Sequence, residues 1–385
     1  MDRITCRNGI IEMKKSILII LLLLGALYTP LHAQPAKESI DDALPIRGLA
    51  IEAPSVKGLG NFLKFIEEDL APAHFNLLVL RIDWNYAYTT HPELADPNPL
   101  TREDVGKIVT ACRKHGIRLV PQINLLGHQS WAKNTLNLLR VYPEFDETPS
   151  VKTENYTEWP NPEGLYCKSY CPLHPDVHKV VFALIDEICD AFQTDAFHAG
   201  MDEVFYLGEK ECPRCNGKDK AELYAGEVTL LRNHLAQHGR SLMIWGDRLL
   251  DGKTTGLGEW EASYNYTWRA IDMIPKDVLI CDWHYNRAEL TPVYFAMKGL
   301  SVVSCGWNNP ATSVRQVRDM ATFRGQSSRE VASNLKGYMH TIWSGADGFL
   351  RSFERVKAGQ ETGERGADAR ALPAVMKEFK SQYDK

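Results

Sequence analysis

Two adjacent carboxylates, Asp202 and Glu203, end the apolar segment 195–204, and His198 stands four residues before the first of them. The apolar run 196–199 is typical of a buried strand, so both acids follow its C-terminal end. In a barrel of parallel strands, that end carries the chemistry. Two neighbouring carboxylates are costly to ionise together unless a substrate or a cation uses their charge. The segment therefore indicates an enzyme active site.

Polar and aromatic residues also follow the other predicted strands. Four strand ends carry tryptophan at about the same depth, beside carboxylates and amides, and another tryptophan follows Asp83. That combination favours a pyranose pocket, in which indoles stack on the C–H faces of the sugar and polar groups meet its hydroxyls. The candidate substrate-binding residues from this pattern are Asp83, His128, Trp245, Trp283, Tyr285, Trp307, Asn308 and Trp343.

The adjacency of the two acids also bears on mechanism. Retaining hydrolysis of a glycoside normally uses an acid and a nucleophile that face each other across the bond. Consecutive residues do not face each other, but they suit a 2-acetamido sugar whose own carbonyl oxygen attacks C1. Asp202 would then orient and stabilise the acetamido N–H, and Glu203 would protonate the leaving oxygen.

These residues need a scaffold that gathers the ends of many strands. Eight strands alternating with about eight helices predict a single (β/α)8 TIM barrel over residues 46–385. A doubly wound sheet is the alternative, which the lack of a glycine-rich phosphate loop after the first strand disfavours. The predicted strands are 48–51, 77–82, 118–123, 196–199, 241–245, 278–281, 301–305 and 337–342.

The predicted helices are 58–70, 102–115, 176–192, 219–238, 287–298, 313–323 and 368–382. The apolar spacing of 176–192 matches the helical period especially well. The long loops after the third strand (124–175) and the fourth (204–218) leave from the catalytic end. We expect both to wall the site.

Composition and charge narrow the class of protein. The chain has 385 residues, is 44% hydrophobic and 24% charged, and carries a formal charge of −5. This balance is ordinary for a globular protein and offers no general attraction to nucleic acid or acidic membranes. Residues 13–33 combine two lysines, a short apolar run and small residues, which predicts a signal peptide and export, with the bacterial periplasm as destination. Residues 1–33 would be upstream sequence and signal peptide and 34–45 a linker, and no membrane contact is expected after cleavage.

The cysteines divide into two groups. Cys112, Cys189, Cys281 and Cys305 stand in apolar contexts that predict buried thiols. Cys167 and Cys171, and likewise Cys212 and Cys215, have the spacing of chelating or bridging pairs. An exported protein could oxidise them to disulfides, or the four together could hold a structural zinc. Neither reading makes them catalytic, and both stay open.

The motifs resemble those of glycoside hydrolase family 20, the β-N-acetylhexosaminidases. The family's His-x-Gly-Gly-Asp-Glu strand end is similar to the segment 198–203, and its Arg-Gly-x-x-x-Asp first strand is similar to 47–52. Its third strand, Pro-x-Ile, then Gly-His and Tyr-Pro-Glu, is similar to 121–123, 127–128 and 142–144. The resemblance covers about residues 45–350.

The resemblance implies roles for individual residues. Asp202 would polarise the acetamido group, Glu203 would be the acid and base, and Arg47 would bind sugar hydroxyls, with a salt bridge at the barrel base as its alternative. His128 and His198 would support the acids, and Trp245, Trp283 and Trp343 would wall the pocket. The chain departs from the family pattern at three notable positions: Met201 replaces a glycine, Glu52 an aspartate, and Gly345 a glutamate two residues after Trp343.

The sequence thus predicts an exo-acting hydrolase that removes terminal β-linked N-acetylglucosamine or N-acetylgalactosamine by substrate-assisted retention. No cofactor and no catalytic metal are expected, and the partner is a glycan. The alternatives are a non-catalytic carbohydrate-binding protein on a degenerate barrel and a metal-dependent hydrolase that uses His198 and Asp202. The natural glycan, the preferred epimer and the oligomeric state stay open.

Overall fold

The computed structural model describes residues 39–153, 167–363 and 366–383. The predicted signal peptide lies outside these residues. Within the predicted linker, Ile40–Ala43 forms one helical turn that buries Ile40. No helix in the described part of the chain is long and apolar enough to cross a membrane.

Eight parallel strands close into a barrel in which each strand pairs with its neighbours in chain order and the last strand pairs with the first. Each of the eight predicted strands is present, with its ends within two residues of the prediction. The predicted (β/α)8 architecture is therefore confirmed. The bounds are β1 Ile46–Glu52, β2 Leu77–Arg81, β3 Arg118–Leu125, β4 Ala196–Gly200, β5 Ser241–Trp245, β6 Leu279–Trp283, β7 Ser301–Gly306 and β8 Leu335–Thr341.

The strands are apolar on both faces because both faces are covered. Successive side chains of a strand point to opposite sides. On β2, Leu78 and Leu80 join the large core under the helices, whereas Leu77 and Val79 join a separate apolar cluster inside the barrel. This inner cluster fills the barrel, so substrate can approach only from its rim.

Helices form the outer layer. The longer ones are α1 Leu59–Lys64, which continues as the π-helical segment Phe65–Leu70, α2 Arg102–Lys114, α3 Val177–Phe192, α4 Lys220–Gln237, α5 Thr291–Met297, α6 Pro310–Gln326, α7 Ala346–Lys357 and α8 Ala367–Tyr383. Shorter helical segments are Ala71–Ala73, Pro92–Leu94, Asn137–Val141, Pro143–Phe145, Asp247–Leu249, Gly252–Thr255, Gly258–Glu261, Thr267–Asp272 and Arg329–Asn334. The β5–β6 crossover uses such short segments in place of one long helix.

Local chemistry sets the helix ends. Thr101 and Asp104 form a reciprocal capping box at the start of α2, which satisfies amides that have no partner inside the helix. The predicted helix 287–298 begins only at Thr291, with a proline in its first turn. Helix α7 was not predicted, although Phe349, Leu350 and Phe353 bury one face of it.

Candidate active site

A pocket of about 560 Å³ opens at the C-terminal ends of the strands. Every barrel strand except β5 sends a residue to it, either from its own end or from the loop that follows. The lining residues are Glu52, Arg81, Asp83, Asn124, His128, Trp131, Leu136, Asp202, Glu203, Trp283, Tyr285, Trp307 and Trp343. Trp131 and Leu136 belong to the loop after β3, so this loop walls the site as expected.

A strained turn after β4 brings both acids into the pocket. Gly200, Met201 and Glu203 have φ angles of 67°, 67° and 49°. These lie in the left-handed region, which residues other than glycine rarely adopt. The hydroxyl of Tyr224 donates to the Met201 carbonyl at 3.0 Å. The amide of Glu203 donates to Asp247 at 2.9 Å. These contacts hold the turn, and the φ of Met201 explains why glycine suits this position in the family pattern.

His128 links the two acids. Its Nε2 lies 3.2 Å from Asp202 Oδ2 and 3.2 Å from Glu203 Oε2. Burial opposes a charge on His128, but its contacts, which include the charge and the hydrogen bond of Asp202, raise its pKa well above the ordinary value. Burial likewise opposes the charge on Asp202, yet the charge and hydrogen bond of His128 lower its pKa below the ordinary value. The geometry therefore favours an Asp202 carboxylate beside an imidazolium.

The second oxygen of Asp202 lacks a hydrogen-bond donor from the residues that the structure describes. This oxygen, Oδ1, is buried. A buried carboxylate oxygen without a donor is costly. It is therefore a ready acceptor for an N–H group of a bound substrate.

Cys167 lies against the acids, which the sequence did not predict. Its sulfur is 3.4 Å from His128 Nδ1 and 3.6 Å from Glu203 Oε2. Burial raises the pKa of this thiol to about 12, so it is neutral at ordinary pH. Cys167 therefore contacts the acids, and the expectation that it is not catalytic stays a prediction. Its presumed partner Cys171 instead lies 3.4 Å from the sulfur of Cys215.

Asp247, at the end of β5, positions the site from below. It is fully buried, and besides the Glu203 amide it accepts from Arg248 Nε at 2.6 Å and from Trp283 Nε1 at 3.3 Å. Burial raises its pKa to about 6. The Asp247 carboxylate thus holds both the backbone of Glu203 and the indole of Trp283 in place.

Asp83 is tied to the end of β3. It has a φ of 38°, and its carboxylate accepts from the Asn124 amide at 2.8 Å and from the Asn124 side chain at 3.4 Å. Burial raises the pKa of Asp83 to about 6. These contacts occupy both of its oxygens.

An ion pair forms another part of the wall. Arg81 Nη2 lies 2.6 Å from Glu52 Oε2, and the guanidinium stands over the Trp343 ring at 5.6 Å from its centroid. A β-carbon added at Gly345 would lie 3.7 Å from Glu52 Oε1. The carboxylate of Glu52 therefore reaches the space near the position where the family pattern has a glutamate.

Aromatic rings form the remaining wall. Trp283 stacks on Tyr285 with centroids 5.1 Å apart, and Tyr285 meets Trp307 edge-on at 5.2 Å. The indole of Trp343 donates to the Tyr285 hydroxyl at 2.7 Å. Trp131 stacks beside His128 at 5.9 Å and is 47% exposed. The pocket therefore has an aromatic wall held by these contacts and an exposed aromatic residue, Trp131, at its rim.

The structure brings most of the predicted site residues together. Those that line the pocket are Asp83, His128, Asp202, Glu203, Trp283, Tyr285, Trp307 and Trp343. Four others, Arg47, His198, Trp245 and Asn308, are not among the lining residues.

Arg47 lies at the opposite end of the barrel, so its predicted contact with sugar hydroxyls is wrong. It is the second residue of β1, and its guanidinium donates to the carbonyls of His74 and Leu44 at 2.8 Å each. It also pairs with Asp41 at 2.9 Å. The position of Arg47 near the start of β1 explains this, because only the last residues of a strand reach the catalytic rim.

His198 and Trp245 lie below the pocket floor. His198 points into the barrel, its ring 4.6 Å from that of Trp245, and its Nδ1 accepts from the Gly200 amide at 3.0 Å. Trp245 belongs to the inner apolar cluster and contacts Trp343 at 5.4 Å. Both therefore support the site without lining it. Asn308 is half-buried in the loop after β7.

The site also contains residues that sequence reasoning did not select. Glu52, Arg81, Asn124 and Asp247 stand at or just after strand ends, the same signal that selected Asp83. Trp131, Leu136 and Cys167 come from a long loop, whose path the strand pattern does not define.

Comparison with known proteins places this geometry in context. The model of the glycosyl hydrolase family 20 catalytic domain matches residues 84–346. The lacto-N-biosidase of Bifidobacterium bifidum is 23% identical over 228 residues, which are 55% of this chain and 18% of that protein. The β-hexosaminidase of Akkermansia muciniphila is 26% identical over 152 residues, which are 38% of this chain and 29% of that protein.

Solved structures show the same fold. The chitobiase of Flavobacterium johnsoniae superposes with a TM-score of 0.60 at 20% identity, covering 88% of this chain and 51% of that one. A β-N-acetylhexosaminidase of Bacteroides fragilis gives 0.59 at 14% identity, covering 87% and 66%. The chain spans less than a third of the length of the two curated relatives and about half of the chitobiase.

Proposed function

The chain belongs to glycosyl hydrolase family 20, and from that premise we propose that it removes a terminal β-linked N-acetylhexosamine from a glycan. The reaction is exo-acting and retains configuration at C1. The acetamido group of the substrate supplies the nucleophile. No cofactor takes part.

This proposal is carried by the buried Oδ1 of Asp202, which has no hydrogen-bond partner in the described part of the chain. An acetamido N–H that donates to this oxygen gains a charge-assisted hydrogen bond. The bond strengthens as the carbonyl oxygen attacks C1, because positive charge then develops on the amide nitrogen. His128 keeps Asp202 ionised for this role, since it lowers the pKa of that carboxyl. The interaction is therefore stronger in the transition state than in the ground state, which is what accelerates a reaction.

Glu203 moves the proton. In the first step the bond from C1 to the leaving oxygen breaks, Glu203 donates its proton to that oxygen, and the acetamido carbonyl oxygen bonds to C1. In the second step Glu203 takes a proton from water, the water oxygen bonds to C1, and the carbonyl oxygen departs. Two displacements on opposite faces retain the configuration.

The other pocket carboxylates are less suited to be an enzymic nucleophile. Asp83 has both oxygens bonded to Asn124. Glu52 is paired with Arg81 at 2.6 Å. This supports a nucleophile that arrives with the substrate.

The pocket walls suit a pyranose. Trp283, Tyr285, Trp307 and Trp343 offer ring faces to C–H groups. Arg81 and Glu52 together offer donors and acceptors to adjacent hydroxyls, in place of the glutamate that the family pattern has at Gly345. We also propose that residues 13–33 direct export to the bacterial periplasm, where a glycan is the partner.

The test is turnover of 4-nitrophenyl N-acetyl-β-glucosaminide and its galacto epimer. The expected result is release by the wild-type chain, inhibition by N-acetylglucosamine-thiazoline, and loss of release in Glu203→Gln. Near-native turnover by Glu203→Gln would refute the role of Glu203. Tight binding of chitobiose without release of sugar would instead indicate a non-catalytic carbohydrate-binding protein.

A further inference from the structure

Three cysteines and one glutamate meet outside the pocket. Glu147 and Cys171 come from the loop after β3, and Cys212 and Cys215 come from the loop after β4. All four are buried. One ligand atom from each lies within 4.8 Å of the others. The sulfur of Cys171 is 3.4 Å from that of Cys212 and 3.4 Å from that of Cys215.

We propose that Glu147, Cys171, Cys212 and Cys215 form a structural zinc site. A zinc ion with sulfur ligands at about 2.3 Å places tetrahedral ligand atoms about 3.8 Å apart. This value lies between the 3.4 Å that separates Cys171 from each other sulfur and the 4.8 Å within which all four ligand atoms lie. The Cys-x-x-Cys spacing of the second pair is common in such sites. Three thiolates and a carboxylate would complete the four coordination positions that a structural zinc requires.

The carboxylate of Glu147 points independently to a cation. Its Oε1 accepts from the amides of Gly208 and Glu209 at 2.8 and 3.1 Å. Its Oε2 is buried without a nitrogen or oxygen donor among the residues described, and the carboxylate contacts the Cys212 and Cys215 thiols. A buried carboxylate oxygen without a donor needs a compensating charge. A zinc ion among the three sulfur atoms supplies that charge.

Backbone amides already support the sulfur atoms as they would around a metal. The amides of Arg214 and Cys215 hydrogen-bond to Cys212, and the amide of Leu173 hydrogen-bonds to Cys171. Outer-shell bonds of this kind orient ligands and stabilise thiolates. The turn is closed by the Asn216 amide, which donates to the Cys212 carbonyl at 3.0 Å.

A disulfide explains the cluster less well. Any single bridge would use two of the three thiols and leave the third, together with Glu147, buried beside it. Cys171 lies at the same distance from both other sulfur atoms, so the geometry prefers neither bridge. The pairing of Cys167 with Cys171 that their spacing suggested is also not formed, because Cys167 contacts His128 and Glu203 instead.

The ion would tie together the two loops that carry the active site. Cys171 follows the pocket residue Cys167 by four positions, and Cys212 follows Glu203 by nine. Zinc would therefore stabilise the loops that place these groups without touching substrate. The inference rests on the cluster of Glu147 and the three cysteines and does not depend on the proposed reaction.

The experiment measures metal content and thiol state of the full chain. We expect one zinc per chain by mass spectrometry of the metal, and release of that zinc when a mercurial reagent blocks the thiols. Replacement by cobalt should give an intense thiolate-to-metal charge-transfer band. Cys171→Ser and Cys215→Ser should lose the zinc, and Glu147→Gln should bind it more weakly. Cys112→Ser, which removes a buried thiol elsewhere, should keep it.

Two results would overturn the proposal. One is wild-type protein with three reduced thiols that takes up neither zinc nor cobalt. The other is wild-type protein whose intact mass shows the loss of two hydrogens in a bridge between two of these cysteines. Measurements on the wild-type chain decide the matter even if a variant fails to fold.

Discussion

Replacing His128 with glutamine should impair catalysis by a predictable amount. His128 Nε2 lies 3.2 Å from an oxygen of Asp202 and 3.2 Å from an oxygen of Glu203. A hydrogen bond to a charged group contributes about 1.5 to 3 kcal/mol. A tenfold change in rate corresponds to about 1.4 kcal/mol, so kcat/KM should fall about 10- to 150-fold.

The pH profile gives a sharper readout. His128 lowers the pKa of Asp202, so in His128→Gln that pKa should rise and the acid limb of kcat/KM should move to higher pH. The stability that Asp202 gains from its lowered pKa is present above the pKa of the unfolded chain and is lost as the pH falls through the folded value. The His128→Gln variant should therefore lose less stability than the wild type as the pH falls through this range.

The assay is release of 4-nitrophenol across acidic and neutral pH. His234→Gln is a matched control, because His234 pairs with Asp186 at 3.0 Å between the outer helices. An unchanged acid limb in His128→Gln, or an equal shift in His234→Gln, would refute the assignment of His128 to Asp202.

Three further predictions address other parts of the molecule. Arg47→Ala should lower the free energy of unfolding by about 2 to 4 kcal/mol, since it leaves buried carbonyls without a donor, and it should leave KM unchanged. Arg81→Ala should instead raise KM. If Arg47→Ala raised KM without loss of stability in denaturation, Arg47 would belong to the site after all. Iodoacetamide at neutral pH should not alkylate Cys167 in the folded enzyme, because burial raises the pKa of this thiol to about 12; rapid alkylation of Cys167 that substrate prevents would contradict this. Burial lowers the pKa of His340 to about 3, so between about pH 6.5 and 3 this histidine is protonated only in the unfolded chain. Over that range its contribution to the free energy of unfolding falls by up to about 1.4 kcal/mol for each pH unit that the pH drops. Urea unfolding of His340→Asn should show a shallower slope there, and an equal slope would exclude this contribution.

The sequence was informative where a strand pattern ends in functional residues. Asp202, Glu203 and Asp83 could be located because an apolar run defines a strand, and the residues at its C-terminal end reach the rim. Arg47 shares a motif with the family, but a motif does not state depth along a strand. Its place in the second position of β1 puts it at the far end of the barrel.

Contacts between distant loops could not be predicted in the same way. The spacing of Cys167 and Cys171 suggested one pair, yet the fold turns Cys167 toward Glu203 and Cys171 toward Cys212 and Cys215. Glu147 joins that cluster from a loop without strand or helix periodicity. Such proximities depend on the path of the chain in space, which local patterns do not encode.

The most direct test of the account uses substrates whose acetamido group carries zero, one, two or three fluorine atoms. Each fluorine weakens the carbonyl oxygen as a nucleophile, so kcat/KM should fall steeply along the series if that oxygen attacks C1. The account predicts this decline together with no turnover of the 4-nitrophenyl β-glucoside, which lacks the acetamido group. A flat series, or turnover of the glucoside at a similar rate, would contradict substrate-assisted catalysis.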